Sequence, residues 1–419
     1  MRLPALLQGD ATFTPNIHLT MQIEQPSPKD ILWSKNFIAA ACANFLMFLA
    51  FYMLLPILPI YLTDQFDANK SIVGIILASY TITALIIRPF AGFMVDSFPR
   101  KPLLMICYAA FILFFGGYLL AGTLLIFAFI RAAHGLAFGL VTISNSTVAI
   151  DTMPSSRRGE GIGYYGVSSN LAMAFGPTIA LFLLDLSHNY DTVFIVSLVA
   201  GCIGFGCVNL IKLPARKIDN GPKEPISLDR FILLKGIPGM LPMSLISFSY
   251  GILSSYLAIY GKEEVGLASG TGLYFVLMSV GLISSRITAG RMLNKGLIIP
   301  LILTGLYILA TAFCLFIFVK NAFGFYTSAL LMGIAYGCIC PSFQTMFINL
   351  AHHNQRGTAN STFFTSWDFG IGAGVLIGGA IADISNYTTA YLFGLTLIAV
   401  GYTFFRLITA PYFNKNKLR

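Results

Sequence analysis

One carboxylate stands in the middle of a long apolar run near the C-terminus. Asp368 lies in the stretch STFFTSWDFGIGAGVLIGG, which contains no other acid. An ionisable group at this depth is a functional hypothesis, because a partner or water must offset its desolvation. Burial favours the neutral acid and a nearby cation favours the carboxylate, which suits a site that a proton and a substrate occupy in turn. Asp368 is therefore predicted to carry a proton or to contact a cationic substrate group; a structural hydrogen bond between helices is the alternative.

Two further ionisable residues lie in an earlier apolar run. Arg131 lies about eight residues from the end of its run, at 1.5 Å per residue too deep for an easy reach to the interface. His134 follows at i+3 on a similar face, and its reference pKa of about 6.5 suits proton exchange. Both are grouped with Asp368 as candidates for proton coupling or substrate contact, with helix packing as the alternative for His134.

Polar and aromatic residues in other apolar runs complete the candidate pocket. Aromatic walls with few polar groups suit amphipathic organic molecules, although each aromatic residue can equally be a packing residue. The candidate lining residues are Asn44, Tyr52, Tyr80, Asn145, Asn170, Tyr250, Tyr256, Gln344 and Trp367.

Charged residues also cluster where apolar runs end. The stretch IIRPFAGFMVDSFPRKP (86–102) holds a small residue, an acid and two bases at Gly92, Asp96, Arg100 and Lys101. Gly92 allows a close helix approach, and Asp96 can cap a facing helix or pair with Arg100. Further partners at the end of a later run are Asp151, Arg157 and Arg158.

Two arginines lie about eight residues, or about 12 Å, from the ends of their runs. Arg88 and Arg286 are close enough to those ends to extend their charged groups to the membrane–water interface. Both are therefore predicted to be structural residues.

The composition is that of a membrane protein. The chain has 419 residues, of which 56% are hydrophobic and 10% charged, and its mean hydropathy is +0.78; soluble domains carry about 25% charged residues. The net charge of +9 does not indicate nucleic-acid binding, because the bases lie mostly between apolar runs. The seven cysteines all fall in apolar runs and are predicted to be small buried side chains, not disulfides or metal ligands.

Twelve runs are long enough to cross a bilayer as helices. The predicted class is an all-α membrane protein with twelve transmembrane helices in two six-helix bundles. Most of the 26 Lys and Arg residues fall on one side, which places both termini in the cytoplasm. The predicted regions are a tail (1–32), a first bundle (33–213), a linker (214–230), a second bundle (231–410) and a C-terminal tail (411–419).

The two halves match at a constant offset of 198 residues. Arg88 falls on Arg286 and Gly92 on Gly290, while Asp368 falls on Asn170 in the first half. Six spans form an even unit, so the copies share one topology and are related by an axis along the membrane normal. Asn294 replaces Asp96 in the second copy, SSRITAGRMLNKGLIIP, so a charged network is expected in the first copy only.

These motifs resemble those of the major facilitator superfamily, over nearly all of residues 33–410. The Gly-x-x-x-Asp-x-x-x-Arg-Lys loop is at residues 92–101, and an Arg-x-x-x-Gly pattern begins at Arg131. The pair Gly176-Pro177 resembles the helix-5 motif of the drug/proton antiporter branch, with Ala172 where the first glycine of that motif usually stands. The resemblance implies that the loop network latches the two bundles together in an outward-facing state.

The resemblance implies a secondary transporter with alternating access, and we expect proton-coupled efflux of a small organic compound. The alternative is a proton-coupled uptake symporter for a sugar-like or other small metabolite; a multi-span membrane enzyme is less favoured, because the sequence has no catalytic cluster. We expect no cofactor and no metal, a proton gradient as driving force, and a small-molecule substrate and the lipid bilayer as partners without nucleic acid. A monomer in a bacterial-type cytoplasmic (inner) membrane is expected.

Overall fold

The structure, a computed structural model, describes residues 31–68, 70–213, 227–267 and 271–418. In this part of the chain, twelve helices are long and apolar enough to cross a membrane. They are α1 (Lys35–Phe66), α2 (Lys70–Ser97), α3 (Arg100–Leu119), α4 (Leu124–Thr152), α5 (Arg158–Ser187), α6 (Tyr190–Leu210), α7 (Ile237–Glu263), α8 (Thr271–Asn294), α9 (Ile298–Phe318), α10 (Ala322–Leu350), α11 (Arg356–Ile384) and α12 (Tyr387–Phe404). A π-helical turn at Phe405–Thr409 leads from α12 into a short α13 (Ala410–Asn416).

Capping side chains determine where several spans begin. Thr123 and Asn321, which are equivalent at the 198-residue offset, each accept a backbone N–H at the start of α4 and α10. Some helices include polar residues at their ends: α5 begins at Arg158, with Glu160 in its first turn. A helix can continue in this way after it has left the hydrocarbon layer.

Large apolar side chains cover the outside of the molecule. Leu113, Leu125 and Phe129 are among the exposed ones, as expected where lipid is the solvent. For the same reason the burial predicted for the cysteines is wrong in three cases: Cys42, Cys202 and Cys314 are exposed. An apolar residue in a membrane helix can face lipid as readily as protein, so hydropathy alone does not separate the two surfaces.

The two halves form bundles with the same internal pairing. In the first bundle (α1–α6), α1 packs on α5 and α6, α2 on α4, and α3 on α4 and α6. The second bundle (α7–α12) repeats each of these pairs six helices later. The predicted 6+6 repeat is therefore present in the packing as well as in the sequence. Most of the predicted N-terminal tail and most of the predicted linker lie outside the described residues.

The bundles meet through two equivalent helix pairs, α2 with α11 and α5 with α8. Gly92 and Gly290 lie at equivalent points of these pairs. A Cβ on Gly92 would lie 2.9 Å from the Cα of Thr358, and one on Gly290 would lie 2.9 Å from the Cα of Glu160. Any larger side chain would separate the bundles, so both contacts require glycine.

Both described ends of the chain lie at one end of the molecule, which we call the terminal end. Leu32 contacts the start of α5, and the N–H of Leu418 donates to the carbonyl of Asn349 at the end of α10. The opposite end, where α1 and α5 finish, is called the far end. The hydrogen bonds and ion pairs between bundles described below all lie in the half of the helices nearer the terminal end.

Candidate functional site

An ion pair inside the spans joins the two bundles. Oδ2 of Asp368, half-way along α11, lies 2.5 Å from Nε of Arg88 in α2. The Arg88 side chain is 5% exposed and that of Asp368 is 18% exposed. Arg88 also lies over the ring of Phe364, one turn before Asp368, at 4.9 Å from the centroid. The predicted acid therefore has a cationic partner, and that partner belongs to the other bundle.

Arg88 was not predicted to be a site residue, because its side chain was expected to extend to the membrane–water interface. Its guanidinium instead points into the contact between bundles, and its carbonyl accepts a hydrogen bond from the hydroxyl of Ser361 in α11. A usable signal was present, since Arg88 and Asp368 are opposite charges at comparable depths of their spans. The repeat alone did not pair them, because it relates α2 to α8 and not to α11.

Aromatic residues from both bundles surround the acid. The ring of Tyr250 lies 5.3 Å from that of Trp367, and Tyr336 lies 5.2 Å from Tyr250. Tyr52 of α1 is within electrostatic reach of Tyr250 and Asp368. We call the group Tyr52, Tyr250, Arg286, Trp367 and Asp368 the central site; each of these residues is partly exposed although deep in its span.

Arg286 also turns inward, so the prediction that its side chain extends to the membrane–water interface is wrong as well. Its guanidinium lies against α5, where a Cβ on Gly166 would overlap Nη1 of Arg286. Tyr52, Tyr250 and Cys340 are within its electrostatic reach. The glycine leaves the space that the arginine occupies, and Arg286 thereby adds a positive charge to the central site.

Arg131 and His134 form a separate cluster inside the first bundle. The guanidinium of Arg131 lies 4.0 Å from the ring centroid of Tyr80 and 3.3 Å from the hydroxyl of Tyr118. Nδ1 of His134 lies 2.9 Å from the same hydroxyl, and phenylalanines of α3 enclose its ring. Both residues are buried, and among the described residues neither has a hydrogen bond or ion pair to Asp368. The structure does not bring them into the central site, and their role in transport stays a prediction.

The other predicted lining residues lie either inside one bundle or at the contact between the bundles. Asn44 and Asn145 bond to each other at 3.4 Å, and Tyr256 donates to the carbonyl of Val375 at 2.8 Å, each within one bundle. Asn170 is buried in α5, one helical turn after Gly166. Gln344 crosses the interface and donates to the hydroxyl of its own repeat equivalent, Ser146, at 3.3 Å. Tyr52, Tyr250 and Trp367 are thus the predicted lining residues that meet Asp368.

Asp96 caps a helix of the opposite bundle. Its carboxylate accepts from the backbone N–H of Gly357 at 2.8 Å, and from the N–H and hydroxyl of Thr358 at 2.7 and 2.9 Å. These are the first residues of α11, where free N–H groups and the helix dipole favour an anion. Arg100 lies 3.3 Å from the same carboxylate. The loop therefore links the bundles at the terminal end.

A second acid extends this network. Asp151, at the end of α4, pairs with Arg100 and, at 3.0 Å, with Arg356 of the other bundle. Lys101, predicted to belong to the network, instead donates to the carbonyl of Asn209 in its own bundle at 2.9 Å. It faces α6 because it follows Arg100 directly, and adjacent helical residues point about 100° apart.

The second copy has an equivalent contact, contrary to a strictly one-sided network. Oδ1 of Asn294 accepts from the backbone N–H of Glu160 at 3.0 Å, and its Nδ2 lies 3.4 Å from Oε2 of that residue. Glu160, equivalent to Thr358, also pairs with Arg157 at 2.9 Å. The cap is therefore neutral here and the acid has moved to the capped helix. Glu160 was not predicted from the sequence, although it matches Thr358 at the 198-residue offset.

The helix-5 motif positions Tyr52. A Cβ on Gly176 would lie 2.7 Å from the Cβ of Tyr52, so α5 and α1 are in close contact there. Pro177 follows inside α5. The pair thus holds one wall of the central site.

Comparisons with known proteins agree with this architecture. The family model of the Major Facilitator Superfamily matches residues 40–375 and 299–418. The quinolone resistance protein NorA of Staphylococcus aureus (strain MRSA252) is 25% identical over 85% of this chain and 92% of that protein. The staphylopine export protein of S. aureus (strain Mu50 / ATCC 700699) is 22% identical over 80% and 86%.

Solved structures give the same fold. The human organic anion transporter MFSD10 superposes with a TM-score of 0.76 at 16% identity, covering 88% of this chain and 98% of that one. The outward conformation of FucP gives 0.69 at 16% identity, over 88% and 97%. With twelve spanning helices, a 6+6 repeat and this family match over most of its length, the chain belongs to the Major Facilitator Superfamily of multi-pass membrane transporters.

Proposed function

We propose that this protein exports small organic compounds in exchange for protons. The observation that carries the proposal is the ion pair between Arg88 and Asp368, which lies within the spans and crosses from one bundle to the other. Of the relatives, one is named for quinolone resistance and another for export of staphylopine. With the termini in the cytoplasm, as the distribution of Lys and Arg predicts, the network of Asp96 and Asp151 closes the cytoplasmic side.

Protonation of Asp368 supplies a means of coupling. The charged carboxylate holds α11 to Arg88 of α2, and attraction between charges is strong where the dielectric constant is low. A proton that arrives from the far end neutralises the acid and removes this attraction. The bundles then separate at the terminal end more easily, and the proton is released on that side. Return to the present state restores the ion pair after a substrate has entered.

The walls of the central site suit amphipathic substrates. Tyr52, Tyr250 and Trp367 offer aromatic faces, while Arg286 and Asp368 supply the charged groups. Pockets of this type bind organic molecules through apolar area and orient them with a few polar groups. A ring system that stacks on these faces is therefore the expected cargo.

Flux measurements in proteoliposomes test the proposal. An imposed pH gradient is expected to drive a quinolone uphill in the direction opposite to proton flow in the wild type. Asp368→Asn is expected to lose at least about tenfold of this uphill flux, because it cannot bind and release the proton, while keeping downhill movement. Asp383→Asn, an exposed acid in the same helix, is the matched control.

Flux is compared per mole of folded protein, since loss of a buried partner also lowers stability. Full uphill flux with Asp368→Asn contradicts the proposal. Accumulation in the same direction as the proton would instead identify an uptake symporter.

A further inference from the structure

The surroundings of Arg286 break the twofold symmetry of the central site. Arg88, its equivalent in α2, is neutralised by Asp368 of α11. The residue equivalent to Asp368 in α5 is Asn170, which carries no charge. Among the residues that the structure describes, no carboxylate lies within ion-pair distance of Arg286. One arginine of the symmetric pair is balanced and the other is not.

Two hydrogen-bond donors face the contact between α5 and α8. Nη1 of Arg286 lies against Gly166, and Asn170 follows Gly166 by one helical turn, a rise of about 6 Å. Nδ2 of Asn170 is buried without a hydrogen-bond partner in the described part of the chain, and Asn170 is only 7% exposed. Buried donors in proteins are almost always satisfied, so this region lacks an acceptor.

Aromatic residues lie near these donors. Tyr52 and Tyr250 are within electrostatic reach of Arg286, and Tyr250 contacts Trp367. Arg286, Tyr52, Tyr250 and Trp367 are all partly exposed. A ring that stacks on these aromatic faces can present an attached acid to the guanidinium.

We infer that Arg286 and Asn170 form a subsite for the anionic group of the substrate, a carboxylate on an aromatic or otherwise amphipathic molecule. The inference rests on the proposed function for its premise that the ligand is the transported compound. A planar guanidinium holds a carboxylate through two parallel N–H···O bonds, and the Asn170 amide supplies a further donor. The substrate carboxylate takes the place that an acid at position 170 would occupy by symmetry with Asp368.

Equilibrium binding to the full-length protein tests this subsite. The chain has two tryptophans, so Trp33→Phe leaves Trp367 of the central site as the fluorescent reporter. The probes are a quinolone carboxylic acid and its methyl ester, which differ in charge and little in shape. The acid is expected to bind at least about tenfold more tightly than the ester, because hydrogen bonds to charged groups are the stronger kind.

Three variants give the inference its sharpest form. Arg286→Gln is expected to raise the Kd of the acid about tenfold or more and to leave that of the ester within about twofold. Arg286→Lys keeps the charge but not the two-bond geometry, so part of the preference should remain. Arg406→Gln, which removes an exposed arginine of the π-helical turn, is the matched control and should change neither Kd.

Equal binding of acid and ester by the wild type, including no binding of either, overturns the inference. So does a preference that survives Arg286→Gln and disappears with Arg88→Gln, because the anion would then use the other arginine. Unchanged ester binding shows that the Arg286→Gln variant is folded. The measurement needs no proton gradient, so its failure is distinct from failure of proton-coupled export, which is judged by uphill flux with Asp368→Asn.

Discussion

Arg88 and Asp368 illustrate how a buried ion pair acts between two moving bodies. Each charge is costly to bury, and the pair is tolerated because the partners neutralise one another. The pair therefore contributes little net stability. A change in the charge of one partner, however, strongly affects the other. Whatever neutralises Asp368 leaves Arg88 without a partner and favours a rearrangement that solvates it.

A double-mutant cycle measures this link. Asp368→Asn and Arg88→Gln alone are each expected to lower the free energy of unfolding in micelles by about 3–5 kcal/mol, because each leaves an uncompensated buried charge. The double variant should lose clearly less than the sum of the two. Additive losses would mean that the residues act independently and that the ion pair does not form in solution.

At the level of helices, the starts of α5 and α11 carry the capping contacts that connect the bundles at the terminal end. Asp96 caps α11 with a charge, and Asn294 caps α5 without one. The acid of the second contact stands on Glu160 of the capped helix, where Thr358 stands in the first. The first contact has its acid on the capping residue and the second has it on the capped helix, so each contact keeps one carboxylate.

The position of Glu160 determines the expected effect of Asn294→Asp. The new carboxylate would lie beside that of Glu160, now 3.4 Å from Nδ2 of Asn294. Repulsion should weaken the α5–α8 contact, and adding Glu160→Thr should restore it by copying the contact between Asp96 and Thr358. Asp96→Asn should weaken the α2–α11 contact by about 1–3 kcal/mol, since hydrogen bonds to a charged acceptor are lost.

Spin labels at the far end report both effects. Asp185 and Asp383 are exposed equivalents in α5 and α11, and cysteines at these positions in a cysteine-free background give one distance between the bundles. Weakened terminal contacts should increase the population with a shorter far-end distance. If Asn294→Asp leaves the distribution unchanged with Glu160 present, the proposed repulsion is absent.

For the whole molecule, we expect closure of the terminal end to depend on protonation of Asp368 in the central site. The interbundle contacts described here lie towards the terminal end, while the central site is partly exposed. Neutralising Asp368 should therefore shift the molecule towards a state with the terminal end open. Asn at this position imitates the protonated acid at every pH.

The same spin-label pair checks this expectation. Acidification of the wild type should shift the far-end distance towards shorter values, and Asp368→Asn should show the shorter distance at both acidic and neutral pH. If the variant responds to acid as the wild type does, the proton acts at another group. Asp96→Asn combined with Asp368→Asn separates the contribution of the terminal-end cap.

Much of the fold was predictable, and the reasons are specific. Spans follow from the length of apolar runs, and the repeat follows from matches such as Arg88 with Arg286, since charges are rare in this chain. Asp368, Tyr52, Tyr250 and Trp367 were predicted as site residues; the rings of Tyr250 and Trp367 are in contact, and Tyr52 is within electrostatic reach of Asp368. Arg131 was grouped with them on depth and His134 on its position near Arg131 and its reference pKa, but none of these says which way a helix face points.

The sequence by itself determined that twelve helices cross the membrane as two copies of one unit, because hydrocarbon admits long helices and little else. Only the tertiary structure decided which charges meet. Arg88 and Asp368 are 280 residues apart and belong to helices that the repeat does not relate. Their contact depends on how α2 and α11 are rotated about their own axes, and so does the unmatched position of Arg286 beside Asn170. Rotation is set by packing across the whole interface, including the contacts at the glycines at positions 92, 166 and 290. Local sequence patterns do not specify this packing.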